Sequence, residues 1–181
     1  MGSRAVSRVA LWIAIIAALC ARANCDSVTL TQGVSVRLEP AAKLSVPAVL
    51  PLLGAGATFS PFFGSLTVSY RLRTSPAGAG AITLQAASDF APAGGPSIAA
   101  GALTYTCAGS TLGTACTGQE SVATGAQSPV LAVPGGACTG GGGACSAANP
   151  NTTTVSFTLE NDSSARTGNY AAQITFVVSA I

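Results

Sequence analysis

The sequence predicts an all-β protein built as an antiparallel β-sandwich. Three observations indicate this class. Apolar and polar residues alternate in several short segments, clusters of Gly, Pro and Ser separate these segments, and no window beyond the N-terminus has the period of an amphipathic helix. Short alternating strands separated by such turns in one domain-length chain are typical of two-sheet sandwiches rather than of α/β folds. A closed barrel is the alternative architecture.

The N-terminus has the pattern of a secretory signal peptide. Arg4 and Arg8 precede an apolar run over residues 9–19, and the small-x-small letters ARA follow as a cleavage site. The run is about half of the roughly 20 residues that a membrane-spanning helix needs. We therefore expect a cleaved signal helix over residues 1–23, a single domain over residues 24–181, and no membrane span in the mature chain.

The charge balance changes once the signal is removed. The chain has eight Lys and Arg residues and six Asp and Glu residues. Three of the cations, Arg4, Arg8 and Arg22, lie in the signal, which leaves five positive and six negative charges. Nucleic-acid binding needs clustered cations against phosphates, so no nucleic-acid partner is expected. The expected location is extracytoplasmic: secreted, periplasmic or on the cell surface.

The first segments after the signal contain one alternating stretch and one stretch with prolines. The letters DSVTLTQGVSVRLEP place apolar residues at alternate positions, broken at Gln32 and Gly33, and predict one long strand or two short ones. The apolar residues are Val28, Leu30, Val34, Val36 and Leu38. Residues 46–56 are apolar but contain two prolines, which suits an edge or a covering loop because proline cannot donate to a sheet ladder.

Five further strands are predicted along the rest of the chain. The clearest is SLTVSYRLR (65–73), which has Leu66, Val68, Tyr70 and Leu72 on one face and polar side chains on the other. The others are AITLQA (81–86), ALTYTC (102–107), TVSFTLE (154–160) and YAAQITFVVSA (170–180). Gly, Pro and Ser clusters between them are turns and loops.

The cysteines indicate disulfides formed in an oxidising compartment. Five of the six cysteines lie beyond the signal. Local spacing favours two bridges that each close their own loop, Cys107 with Cys116 and Cys138 with Cys145, which makes residues 107–150 a disulfide-looped, Gly-rich insertion. Cys25 is then unpaired, as a free thiol or an intermolecular link. A zinc site built from these thiolates is the alternative, although the pairs lack short C-x-x-C spacing.

The residues needed for most catalytic sites are missing. The chain has no histidine, which removes Ser-His-Asp and Cys-His catalysis, and it has no S-x-x-K or G-x-S-x-G motif. The glycines between Cys138 and Cys145 lack the lysine and hydroxyl of a phosphate loop. Glu160, Asn161 and Asp162 form a polar turn or a calcium loop. We expect no enzyme and no catalytic, cofactor or metal site, and a hydrolase that uses paired carboxylates is the less favoured alternative.

Two segments carry a resemblance to known proteins. Gly168-x-Tyr170 leads into the terminal strand AAQITFVVSAI, and FSPFFGSLTVSY (59–70) places a glycine before an alternating strand. Both segments resemble secreted bacterial immunoglobulin-like domains of the spore coat protein U family and of chaperone-usher pilins. The resemblance implies an immunoglobulin-like sandwich, complete or incomplete, that works as a coat, fimbrial or other surface component. Its partners would be itself or other surface subunits.

This resemblance gives the alternating residues after the signal a possible role. Val28, Leu30, Val34, Val36 and Leu38 would add as an interaction strand to a neighbouring subunit, because β-augmentation combines backbone hydrogen bonds with alternating side-chain pockets. The competing interpretation is that they form the first strand of this domain's own core. The predicted function is a non-enzymatic secreted structural or adhesive surface protein that self-associates by strand addition. The alternative is a monomeric extracellular module that binds a ligand or carbohydrate.

Overall fold

A computed structural model describes three parts of the chain: residues 32–56, 58–137 and 150–181. The chain divides into two units, Met1–Arg37 and Leu38–Ile181. Of the first unit only the last six residues are described, and they are exposed and belong to no helix or strand.

Several sequence predictions fall outside the described residues. They are the signal helix over residues 1–23, the unpaired Cys25, the apolar residues Val28 and Leu30, and the bridge between Cys138 and Cys145. The domain boundaries drawn from them stay predictions.

The second unit is all-β, as predicted, and it consists of two antiparallel sheets that fit a β-sandwich. Its strands in chain order are β1 (Ala41–Ser45), β2 (Leu53–Gly54), β3 (Phe62–Arg73), β4 (Gly80–Ala86), β5 (Leu103–Ala108), β6 (Thr114–Ala115), β7 (Glu120–Ser121), β8 (Ser128–Val133), β9 (Asn151–Leu159) and β10 (Ile174–Ala180). One sheet has the order β1-β3-β9-β5-β7, with β2 also paired to β3, and the other has the order β10-β4-β8-β6. In the described ranges no helix is long and apolar enough to cross a membrane.

The core lies between the two sheets and is built by the alternation seen in the sequence. In β3 the side chains of Leu66, Val68, Tyr70 and Leu72 are buried, and the residues between them are exposed or half-buried. The same alternation holds along all nine residues of β9 and all seven of β4. Because side chains point to opposite faces at successive positions, one buried face is enough to produce this pattern. The strands predicted at these positions are confirmed.

Two strands differ from the prediction. The strand expected across residues 26–40 is not formed over its described part, since residues 32–40 are exposed and belong to no strand. The last strand begins at Ile174 instead of Tyr170, since residues 170–173 contact the neighbouring loop only locally, through the bridge between Ala91 and Ala171 and the Ala87 amide, which donates to the Gln173 carbonyl at 2.8 Å. Tyr170 belongs to the turn that leads into β10.

Residues 114–133, within the expected insertion, contribute strands to both sheets. β7 pairs with β5, while β6 and β8 extend the other sheet. The predicted bridge between Cys107 and Cys116 is present, and it joins the end of β5 in one sheet to the residue after β6 in the other. Beside it, the Tyr105 hydroxyl donates to the Pro129 carbonyl of β8 at 2.6 Å. Both contacts join the sheets on the side away from β1 and β10.

Candidate functional site

The candidate site is an open groove on the side of the sandwich formed by β1, β2 and β10. β9 covers one edge of β3, and β1 and β2 both pair with the other edge. β1 pairs with Ser69–Arg73 of β3 and β2 pairs with Phe62 and Phe63, so the middle of this edge has no strand partner. The connecting residues 46–52 contain Pro47 and Pro51, which cannot donate to a ladder and therefore favour a loop here.

The second component of the site is the unpaired edge of β10. Among the described strands, β10 pairs with β4 alone and forms the edge of its sheet. Its inward side chains are only half-buried, whereas the neighbouring Ile82 and Leu84 of β4 are fully buried. These inward side chains are Ile174, Phe176, Val178 and Ala180. Without a second strand partner among the described residues, although β1 lies close to it, this edge borders an incompletely covered apolar surface.

A cavity of about 910 Å³ lies between the sheets at this side. Its walls come from β3, β9 and β10, and the loop over residues 46–52 lies across it. The apolar walls include Leu50, Leu52, Phe62, Phe157, Ile174 and Phe176. Charged and polar side chains line only one end, among them Glu160, Asp162 and Arg166. The site is thus an apolar groove with one polar end.

Two neighbouring loops, residues 87–102 and 160–172, build this polar end. They are joined by the bridge between Ala91 and Ala171 and by the Arg166 amide, which donates to the Gly94 carbonyl at 2.9 Å. The Tyr170 hydroxyl donates to the Arg166 carbonyl at 2.7 Å. The Tyr170 ring lies against Gly95, where an added Cβ would be 2.2 Å from a ring carbon. Glycine at this position is required by the close packing of the ring.

The carboxylate of Asp89 organises the first of these loops. It accepts hydrogen bonds from the Phe90 amide at 2.8 Å, the Ile98 amide at 2.6 Å and the Ser97 hydroxyl at 2.6 Å. Burial raises the pKa of Asp89, but the hydrogen bonds together outweigh burial and hold that pKa below its usual value. Asp89 therefore acts as the fixed anionic centre of the loop.

The polar turn after β9 caps its own backbone. The Asp162 carboxylate accepts from the Ser164 amide at 2.8 Å, and this bond lowers the pKa of Asp162. The Asn161 amide group donates to the Ser60 carbonyl at 3.2 Å. In the part of the chain that the structure describes, no three His, Cys, Asp or Glu side chains lie together as a metal site. The geometry matches the polar-turn interpretation rather than a calcium loop.

The described residues of the predicted interaction strand are strongly exposed. Val34, Val36 and Leu38 have exposed fractions of 91%, 81% and 68%. They lie in a segment without secondary structure, so in this structure they contribute nothing to the buried core. Exposed apolar side chains at alternate positions are the pattern of a strand whose apolar face has no covering surface.

The sequence reasoning missed most residues of the groove itself. Residues 46–52 were expected to form an edge or a covering loop, which is where the structure places them, but the cavity beneath them was not foreseen. Phe90 and Phe62 line that cavity from positions outside the predicted strands. The signal that could have indicated the cavity is the apolar stretch with two prolines. Such a stretch is too apolar for a solvated loop, and its prolines interrupt a strand.

Comparisons with known proteins supply no family for this chain. No protein-family model matches it, and a search of curated proteins finds no match. The functional inference below therefore rests on the fold and on the groove.

Proposed function

We propose that the protein is a non-enzymatic, secreted structural or adhesive surface subunit that self-associates by strand addition. The single observation that carries the proposal is the unpaired edge of β10 beside an open apolar groove, in a chain that also has an exposed alternating segment. The acceptor is the groove. The donor is the segment over residues 24–38, which we call the arm, of a second copy.

The order of the strands supports an immunoglobulin-like fold in which no described strand occupies the last position of the second sheet. Immunoglobulin-like sandwiches place strands A, B, E and D in one sheet and C, F and G in the other. By chain order and neighbours, β1, β3, β9 and β5 correspond to A, B, E and D, while β4 and β10 correspond to C and F. The free edge of β10 is then the position that strand G occupies in a complete domain.

The turn before β10 supports the same correspondence. Immunoglobulin-like domains carry a tyrosine near the start of strand F whose hydroxyl bonds to the backbone a few residues upstream. Here Tyr170 precedes β10 and its hydroxyl donates to the carbonyl of Arg166, four residues earlier. The resemblance to coat protein U and pilin domains includes the same tyrosine, and it suggests a surface-assembly role.

The arm has the length and the side-chain pattern that the groove requires. Residues 28–38 extended at about 3.3 Å per residue reach farther than the seven residues of β10. Alternate apolar side chains would enter the groove while the backbone pairs with the free edge of β10. Burying each Val or Leu side chain contributes about 1.5–3 kcal/mol, so a few such side chains supply substantial affinity.

A mixing experiment tests this strand addition. The full chain is expressed with its own N-terminal segment, purified after export and measured by sedimentation velocity. An arm variant, Val34→Lys with Val36→Lys, and a groove variant, Phe176→Lys, should each weaken self-association at least about tenfold. Mixed together they should form a dimer and stop there, because one retains a working groove and the other a working arm.

Two matched substitutions control for charge and folding. Ser35→Lys changes the exposed neighbour of the two valines, and Val177→Lys changes the outward neighbour of Phe176. Both should associate like the unmodified chain, and circular dichroism should show an unchanged β spectrum for all variants. A strictly monomeric wild-type chain, or association that persists in the arm variant, would contradict strand addition.

A second candidate function is the binding of a small apolar ligand by a monomer. The cavity volume of about 910 Å³ favours it, since small-molecule sites have volumes of about 300–1,000 Å³ and mostly apolar walls. The dye 1-anilinonaphthalene-8-sulfonate is the probe. Ligand binding predicts saturable one-site fluorescence that Phe176→Lys removes while the chain stays monomeric. Strand addition predicts that dye binding falls as the protein assembles.

A further inference from the structure

Three of the chain's cations gather at one end of β3. Arg71 and Arg73 are two residues apart on this strand and so share a face, and Lys43 of β1 lies directly opposite Arg71. Like charges at directly opposed positions destabilise a strand pair. We call Lys43, Arg71 and Arg73 the basic patch. It holds three of the five cations that follow the expected signal.

The acidic residues gather at the other end of the same strand. Phe62, the first residue of β3, pairs with Leu159, the last residue of β9, and Glu160 and Asp162 follow directly. Both carboxylates are exposed and line the polar end of the groove. We call Glu160 and Asp162 the acidic patch.

The two patches are far enough apart to act independently within one molecule. β3 has 12 residues, which span roughly 35–40 Å at about 3.3 Å per residue. This separation is several times the Debye length of about 8 Å at physiological ionic strength. A cation at one end therefore does little to neutralise an anion at the other.

The remaining charged side chains do not cancel the net charge of either patch. At the basic end the only acidic side chain among the described residues of the second unit is Glu39, whose carbonyl accepts from the Arg73 side chain at 2.8 Å. At the acidic end the two neighbouring loops carry one cation, Arg166, and one further anion, Asp89, and Glu120 of β7 pairs with Tyr105 near the same end. Each end therefore keeps a net charge of its own sign.

We propose that the basic patch of one copy binds the acidic patch of the next, so that assembly is head to tail and electrostatically steered. The inference rests on the proposed strand addition, since the arm joins the domain at Leu38, just before β1 and the basic patch, and the acidic patch lines the receiving groove. An approaching basic end would bring its arm to the groove of its neighbour. Because the two contacting surfaces differ, such a contact repeats and builds a closed ring or an open filament, according to the rotation between neighbours.

This arrangement predicts that salt changes the association rate constant more than the dissociation rate constant. Complementary patches raise association rate constants by roughly 10- to 1,000-fold, and screening removes this gain. We expect the association rate constant of the wild-type chain to fall at least about tenfold between low salt and roughly 0.5 M NaCl. The dissociation rate, which the inserted strand governs, should change little.

A charge exchange tests the pairing of the two patches. A basic-patch variant carries Lys43→Glu and Arg73→Glu, and an acidic-patch variant carries Glu160→Lys and Asp162→Lys. Assembly of the exported full chain is followed by stopped-flow light scattering. Each variant alone should associate at least about tenfold more slowly than wild type, because both of its ends then have the same sign. An equimolar mixture should assemble several times faster than either variant alone, at about half the wild-type rate, because contacts between unlike variants are complementary and contacts between like variants are not.

Two further variants keep the test decisive. Glu160→Lys alone leaves the Asp162 cap in place and should show a smaller slowing, and Ala132→Lys adds charge on the outer face of β8 and should show none. A wild-type rate independent of salt, or variants that each assemble normally, would overturn the steering while strand addition stands. Absence of any wild-type assembly would overturn both proposals.

Discussion

At the scale of single residues, Tyr105 shows how one polar atom joins the two layers. Its side chain is 1% exposed, and its hydroxyl reaches across the core from β5 to the Pro129 carbonyl of β8. Burial and the nearby Glu120 carboxylate raise the pKa of Tyr105 to about 12, although a hydrogen bond with Ser128 opposes the shift. The phenol is therefore held protonated in the fold, as a donor to the Pro129 carbonyl.

Alkaline pH should weaken the fold through this residue. A raised folded-state pKa means that the contribution of Tyr105 is fully present below its unfolded pKa of about 10 and is lost as pH rises through about 12. Tyr105→Phe should lower the free energy of unfolding by about 1–3 kcal/mol at neutral pH, since the Pro129 carbonyl loses its donor.

Urea unfolding at several pH values measures both effects. The variant should lose less stability than the wild type between pH 10 and about 12, because the phenol that titrates there is gone. Equal losses in both proteins would show that the Tyr105 phenol is not coupled to folding.

At the scale of elements, the short strands near residue 115 depend on a covalent bond more than on pairing. β6 has two residues, Thr114 and Ala115, that pair with β8, and the Cys116 amide after it donates to the Val130 carbonyl of β8 at 2.9 Å. The bridge between Cys107 and Cys116 joins it to β5 over a sequence separation of nine residues. A two-residue strand has too few ladder bonds to hold its own position, so the bridge and the buried Leu112 position this segment.

Removal of this bridge should destabilise the fold without changing its topology. Closing a loop of about ten residues stabilises by roughly 2–3 kcal/mol through the unfolded chain. Replacing Cys107 and Cys116 together by serine should lower the urea midpoint accordingly. Non-reducing peptide mapping of the wild type checks the pairing, and a Cys107 link to any other cysteine would contradict it.

At the scale of the whole molecule, the sequence predicted those strands in which buried and exposed positions alternate along the strand. β3, β4, β5 and β9 have one buried face, so apolar residues alternate along them. β8 was missed because a register shift against β4 between Ile82 and Thr83 breaks its alternation, and because Pro129 argues against a strand. β1 was missed because only Leu44 of its five residues is even partly buried.

The groove could not be predicted from the sequence in the same way. It exists because one edge of β3 is incompletely paired and the edge of β10 has no second neighbour among the described strands. Absence of a partner is a property of the assembled sheets and leaves no periodic pattern in any one segment. The alternating residues of the arm were recognisable, but their strand pattern did not reveal whether their own domain covers them. In the described part it does not.

Two contacts that join the two sheets lie on one side of the domain, and this limits how the sheets can move apart. The disulfide and the Tyr105 hydroxyl bond join the layers along the β5–β8 side, while the opposite side has the cavity and the loop with two prolines. Among the described residues, the groove therefore lies on the side of the domain that has no disulfide. A segment that enters the groove would then leave the disulfide-linked side of the domain unchanged. Under the proposed strand addition, the bridge between Cys107 and Cys116 would hold the two sheets together on the side away from the groove while a segment of another copy enters it.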